Sequence, residues 1–107
     1  MTRKVQLRAE RSGLDRRNLW AWVDASGDLH LDGQDLGPST AFVSDDGEYE
    51  WERTIAAVDV PRLIELLGGQ TGADVLDLLE QRYSGEESYE LERLLRESDV
   101  PSKFARW

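Results

Sequence analysis

The hydrophobic positions change period about halfway along the chain. Val5, Leu7 and Ala9 alternate with Lys4, Gln6, Arg8 and Glu10, the period-two pattern of a strand with one buried face. Ser12-Gly13-Leu14-Asp15-Arg16-Arg17-Asn18 is polar and predicts a loop. Leu19, Ala21 and Val23 then alternate with Trp20, Trp22 and Asp24, and after Ala25-Ser26-Gly27 a second run alternates through Asp28-Leu29-His30-Leu31-Asp32. The spacing predicts a hairpin with Gly27 in the left-handed position of a three-residue loop. Its register sets Asp24 opposite Asp28, Val23 opposite Leu29, Trp22 opposite His30, Ala21 opposite Leu31 and Trp20 opposite Asp32. A slip of one residue would invert the faces.

Gly37-Pro38 breaks the pattern, Ala41-Phe42-Val43 fits a short edge strand or a packed loop, and Asp45-Asp46-Gly47 fits a turn. Glu48 to Ala56 is the clearest strand, with Tyr49, Trp51, Arg53 and Ile55 on one side and Glu48, Glu50, Glu52 and Thr54 on the other. From residue 59 the period becomes helical. Asp59 or Val60 caps a first helix with Pro61 in its first turn, where a missing N–H costs little. Leu63, Ile64, Leu66 and Leu67 form its apolar face, and Gly68-Gly69 ends it. A second helix is predicted from about Gly72 to Tyr83 with Val75, Leu76, Leu78 and Leu79 inward. Ser84-Gly85-Glu86-Glu87 matches a capping box opening a third, which reaches about Ser98 and buries Leu91, Leu94 and Leu95. A tail, Ser102 to Trp107, carries Phe104 and Trp107.

Strands first and helices afterwards predict an α+β fold in one domain spanning residues 1–107. The architecture expected is an antiparallel sheet of three to five strands (about 4–56), packed on one face by about three C-terminal helices (about 59–98). With 107 residues the core needs neither metal nor disulfide.

Composition narrows the chemistry. The chain has no cysteine, which excludes disulfide frameworks, Cys-based zinc sites and thiol nucleophiles. Asp and Glu number 22 against 13 Lys and Arg, a formal charge of −9 that argues against nucleic-acid binding, since that affinity rests on cations meeting phosphates. The charge is uneven. Residues 1–17 carry six bases and two acids, whereas residues 18–58 carry nine acids and Arg53 alone. No run approaches the ~20 apolar residues of a membrane span, and no leader pattern opens the chain. A cytoplasmic protein with no membrane partner is the expectation.

Asp24, Asp28, Asp32 and Asp35 invite comparison with a calcium loop, but Leu29 stands where that loop needs glycine and Asp35 where it needs glutamate. No metal and no cofactor are expected. Gly68-Gly69-Gln70-Thr71-Gly72 lacks the lysine and the strand–helix setting of a phosphate cradle, and no nucleophile elbow or dinucleotide fingerprint occurs. His30, the single histidine, has no catalytic motif around it, so no catalytic residues are assigned.

Two features point to binding instead. Glu48, Glu50 and Glu52 make an acidic ladder with ~6.8 Å between steps. It serves either as a solvated face, paired across strands with Lys4 and Arg8, or as a docking ridge for a basic partner. Trp20 and Trp22 point away from the helices, to be covered by Phe104 and Trp107 of the tail or to form an acid-rimmed aromatic patch.

Gly27-Asp28-Leu29…Gly33-Gln34-Asp35-Leu36-Gly37, Glu48-Tyr49-Glu50-Trp51, Val60-Pro61-Arg62-Leu63 and Val100-Pro101…Phe104 together resemble a group of short acidic actinobacterial proteins. The resemblance spans most of residues 19–107 and implies structural motifs without an assigned activity or catalytic residues. In size, acidity and build the chain is also similar to immunity proteins that neutralise toxins. The function expected is therefore a non-enzymatic protein–protein interaction module with a basic protein partner. Its binding residues would be Trp20, Trp22, His30, Glu48, Glu50 and Glu52. The alternative is a small-ligand binder or enzyme whose pocket lies near His30 and uses Asp32 or Asp35.

Overall fold

The computed structural model describes residues 2–38 and 47–106. Four strands, β1 (Lys4–Ser12), β2 (Asp15–Val23), β3 (Leu29–Leu36) and β4 (Glu48–Ile55), precede a 3-10 turn (Ala57–Asp59) and three helices. The helices are α1 (Val60–Leu66), α2 (Val75–Arg82) and α3 (Glu87–Glu97), and a last strand, β5 (Lys103–Arg106), follows them. The strands form one antiparallel sheet in the order β1-β2-β3-β4-β5, so the fold is α+β.

The β2–β3 hairpin has the register expected, with Trp22 opposite His30 and Trp20 opposite Asp32. Gly27 has φ +88°, and its N–H donates to the Asp24 carbonyl at 3.0 Å. The first hairpin is tighter than the polar sequence suggested. Ser12 pairs with Asp15, so the loop is Gly13-Leu14 alone, and Asp15–Asn18 belong to β2 rather than to a loop. Gly13, at φ +61°, takes the first central position of a two-residue turn, which β-carbon-bearing residues rarely adopt.

A bulge in β1 overturns a second expectation. Gln6 pairs with Trp20 and Arg8 with Leu19, leaving Leu7 as the extra residue. Both Leu7 and Arg8 consequently face the core, while Ala9, expected inward, is exposed. The bulged carbonyl of Leu7 accepts the Gly85 N–H at 2.7 Å. Arg8 is only 4% exposed. Its Nε donates to Ser88 Oγ at 2.8 Å, its Nη2 pairs with Glu92, and its guanidinium lies 3.6 Å from the Tyr89 ring centroid.

The core lies between one sheet face and the helices. Leu7, Leu19, Leu29, Leu31 and Ile55 from the strands meet Leu63, Leu79 and Leu91 from the helices. In α1, Leu63 and Ile64 are buried with the following Leu67, but Leu66 is exposed. The second helix starts at Val75, not Gly72, because Asp74 caps it by accepting the Asp77 N–H at 3.0 Å. The expected capping box does not form. Ser84 Oγ donates back to the Glu80 carbonyl, and it is Ser88 that ties the start of α3 by donating to Gly85 O.

Gly33 makes room for Trp51, the residue directly opposite it on β4. A β-carbon at Gly33 would stand 2.0 Å from Trp51 Cε2. The indole thus crosses the sheet over glycine and is 7% exposed. The tail is a fifth strand, not a flap over Trp20 and Trp22. Phe104 pairs with Arg53 and stacks on Trp51 with ring centroids 5.9 Å apart, which places it on the helix side. The readings of Ala41-Phe42-Val43, Asp45-Asp46 and Trp107 lie outside the described residues.

Candidate functional site

Period-two alternation sends every second strand residue to the sheet face opposite the helices. Pairing lines these residues up in rows. One row runs Lys4, Trp22, His30, Thr54, Lys103, and the next runs Gln6, Trp20, Asp32, Glu52, Ala105. A third holds Ala9, Asn18, Gln34 and Glu50. Trp20, Trp22, His30, Glu50 and Glu52 are therefore brought onto one surface. Glu48 shares the face but sits at its end, opposite Leu36 and exposed.

His30 is the centre of the first row. Its ring stacks on Trp22, with centroids 4.1 Å apart and planes 14° from parallel. Nε2 lies 2.7 Å from Asp24 Oδ2, and Nδ1 lies 3.3 Å from Glu52 Oε1 and 3.4 Å from Thr54 Oγ1. The side chain is 13% exposed. Burial pulls its pKa down, but the hydrogen bonds and charges of Asp24 and Glu52 outweigh burial and hold it above the usual 6.5. Asp24 moves the opposite way. Its contact with His30, then the backbone N–H groups of Asp28 and Ser26, keep its carboxyl below the usual 3.8 against a partial desolvation.

Asp32 anchors the second row. Its Oδ2 accepts Trp22 Nε1–H at 2.9 Å and lies 3.5 Å from Lys4 Nζ, which in turn sits 5.4 Å from the Trp20 ring centroid. A chain of amides fixes the third row: Gln6 donates to Asn18 (3.2 Å), Asn18 to Gln34 (3.4 Å), and Gln34 to Glu50 (3.4 Å). The contacts that half-bury Trp20 and Trp22 thus come from the sheet itself. Neither pairing expected of the ladder occurs as drawn: Lys4 meets Asp32, and Arg8 is buried against Glu92 on the other face.

Asp24, Asp32, Lys4 and Gln34 belong to this surface, though of the two aspartates the sequence ties only Asp32 to it, opposite Trp20 and as an alternative neighbour of His30. The register Trp20–Asp32 already implied Asp32; Asp24, two residues beyond Trp22 on the same face, is a diagonal neighbour of His30 and not its paired one. Asp28 Oδ1 accepts the Ala57 N–H at 2.8 Å, joining the hairpin to the 3-10 turn. Among the described residues no group of three or more acids and histidine is placed to hold a metal ion.

The pocket reading meets a different geometry. Asp35 pairs with Arg17 on the helix side, where burial raises its pKa against the pull of Arg17 and Arg8, so it is not a partner of His30. Asp32 serves Trp22 rather than the imidazole. A hollow of about 250 Å³ lined by Asp28, Thr54, Ala56, Asp59, Pro101, Ser102 and Lys103 touches the row at Thr54 and Lys103 and is not lined by His30. No helix among the described residues is long and apolar enough to cross a membrane. Compared with protein-family models, with curated proteins and with solved structures, the chain matches none.

Proposed function

We propose that the chain is a non-enzymatic protein–protein interaction module that docks a basic protein partner on the outer sheet face, in the manner of an immunity protein neutralising a toxin. The observation that carries this reading is the composition and order of that face. Two tryptophans and a stacked histidine occupy its middle, and Asp24, Asp32, Glu50 and Glu52 surround them, each held by neighbours. Aromatic anchors inside a polar rim are the usual makeup of an energetic hot spot, and side chains already fixed lose little freedom on binding. The acid-rich segment 18–58 supplies a field that speeds the approach of a cationic partner.

A ligand or enzyme site centred on His30 draws on the Thr54 hydroxyl 3.4 Å from Nδ1. The rest of the geometry favours binding. An imidazole that faces carboxylates at both nitrogens has each nitrogen already engaged within the chain.

The test is capture from a native lysate by the immobilised parent chain and by two charge reversals of equal size. Glu50→Arg/Glu52→Arg alters the face, and Glu80→Arg/Glu86→Arg, the helix variant, alters exposed positions in α2 and at the cap of α3. A cationic protein retained by the parent and by the helix variant, and lost from the face variant, is the expected result. Retention by the face variant, or equal loss from both, refutes the proposal.

A further inference from the structure

We propose that the notch beside Trp20 is a receptor for one basic side chain of the partner, an arginine before a lysine, and that Lys4 holds this place in the free chain. The inference rests on the docking face proposed above and names the partner group that one hollow in it recognises.

A hollow of about 200 Å³ opens in the outer face between Trp20, Asp32, Gln34, Glu50 and Glu52, with Lys4 as one wall. Three carboxylates and an indole thus line one hollow with a single ammonium, of which Asp32 and Trp20 meet it directly. That ammonium occupies the position a ligand cation would take. It lies over the Trp20 ring at 5.4 Å and beside Asp32 Oδ2 at 3.5 Å, an aromatic face and an anion presented together.

Lys4 fills the place loosely. The 3.5 Å separation exceeds the ~2.7–2.9 Å of a well-made N–H···carboxylate bond, and its side chain is half exposed on an edge strand. Meanwhile Asp32 uses one oxygen twice. Oδ2 takes both Trp22 Nε1–H and the Lys4 contact, whereas Oδ1 is buried and has no hydrogen-bond partner among the described residues. An unsatisfied carboxylate oxygen raises the energy of the free state. In this proposal the partner's arginine, once Lys4 has swung away, reaches that oxygen and removes the penalty. Guanidinium suits the site better than ammonium, because it is planar, stacks on an indole, carries several donors in a fork and sheds water more easily.

The probe is acetyl-Gly-Arg-Gly-amide, with the citrulline tripeptide as its uncharged counterpart, titrated into the intact chain while the indole N–H signals of Trp20 and Trp22 are followed by NMR. Lys4→Met is expected to tighten arginine binding about fivefold by vacating the notch, and Asp32→Asn to weaken it about fivefold, the size of one such contact. Lys103→Met removes the only other lysine, and on the same face it should change binding less than about twofold, as screened charge alone would. The citrulline peptide should give no saturable shift.

Equal effects of Lys4→Met and Lys103→Met, or the absence of a saturable shift in both the parent and Lys4→Met, would overturn the assignment. Lys4 is exposed enough that its variant folds even if Asp32→Asn does not. Loss of lysate capture in Glu50→Arg/Glu52→Arg alongside such a result leaves the face standing and removes the notch. The expected peptide results with capture unchanged would do the reverse.

Discussion

Replacing Gly33 by alanine tests the crossing of strand and indole on which the middle of the sheet depends. The added β-carbon would meet three atoms of one rigid ring, at 2.0 Å from Trp51 Cε2, 2.2 Å from Nε1 and 2.4 Å from Cζ2. None of these is the end of a flexible chain, so the whole indole must move. Overpacking of a well-filled site costs about 1–3 kcal/mol. Full expulsion of a tryptophan exposes ~200 Å² at ~25 cal/mol/Å², a ceiling of about 5 kcal/mol. Trp51 also stacks with Phe104 of β5, so part of the β4–β5 packing moves with it. We expect a loss of about 2–4 kcal/mol, or a Tm lower by roughly 8–16 °C for a domain of this size. Thermal and urea unfolding followed by circular dichroism measure it. Trp51→Leu should cost stability alone yet make Gly33→Ala nearly harmless, a coupling above about 1 kcal/mol in the double-mutant cycle. A Gly33→Ala chain that melts within about 2 °C of the parent, or strictly additive losses, would refute the argument.

Two further predictions concern the polar contacts. Arg8→Met leaves Glu92 and Ser88 without their donor and is expected to cost about 3 kcal/mol, whereas Arg8→Met/Glu92→Leu should recover at least half of that; urea titrations in which the double variant is the less stable of the two would contradict this. For His30, whose folded pKa is raised, the stabilisation is complete below pH 6.5 and fades as pH climbs through the raised value. Asp24, whose pKa is lowered, contributes fully above 3.8 and loses its part as pH falls through its own depressed value, so the pair is strongest between these limits. An NMR titration of the imidazole should give a midpoint above 6.5 that drops in Asp24→Asn/Glu52→Gln, and a parent midpoint at or below 6.5 counts against the geometry.

The parts of this fold that could be read from the residues are those fixed by local periodicity. The β2–β3 register follows from Gly27 and from two alternating runs that bury the same parity, and with it came Trp22 against His30. Helical spacing likewise located Val75, Leu76, Leu78 and Leu79, all of them buried. What could not be read depends on contacts distant in sequence. The bulge at Leu7 is stabilised by Gly85 and by the α3 side chains that hold Arg8, 80 and more residues away, and alternation alone puts Arg8 in solvent. Arg16 and Arg17 read as loop because charge dominates them, although pairing with β1 and β3 makes them strand. Ser84 looked like a cap because the motif counts spacing, while the structure uses Ser88, which must also serve Arg8. On the outer face the aromatic and acidic residues were visible as candidates. Their assembly around His30 and Asp32 was only partly so, because Asp24 meets the imidazole diagonally, from beyond the last paired residue of β2.

The sheet order has a consequence for synthesis. Strands β1 to β4 follow chain order, so each can zip onto its predecessor as it leaves the ribosome. The fifth cannot, because three helices are made before Lys103–Arg106. During that interval β4 is the open margin of the sheet, with Trp51 lacking its Phe104 lid and a row of main-chain groups ready to pair with any neighbouring chain. The alternating Glu48, Glu50 and Glu52 on that strand then act as gatekeepers. Like charges on two such strands oppose edge-to-edge pairing, and the last strand covers the margin at Trp51–Thr54.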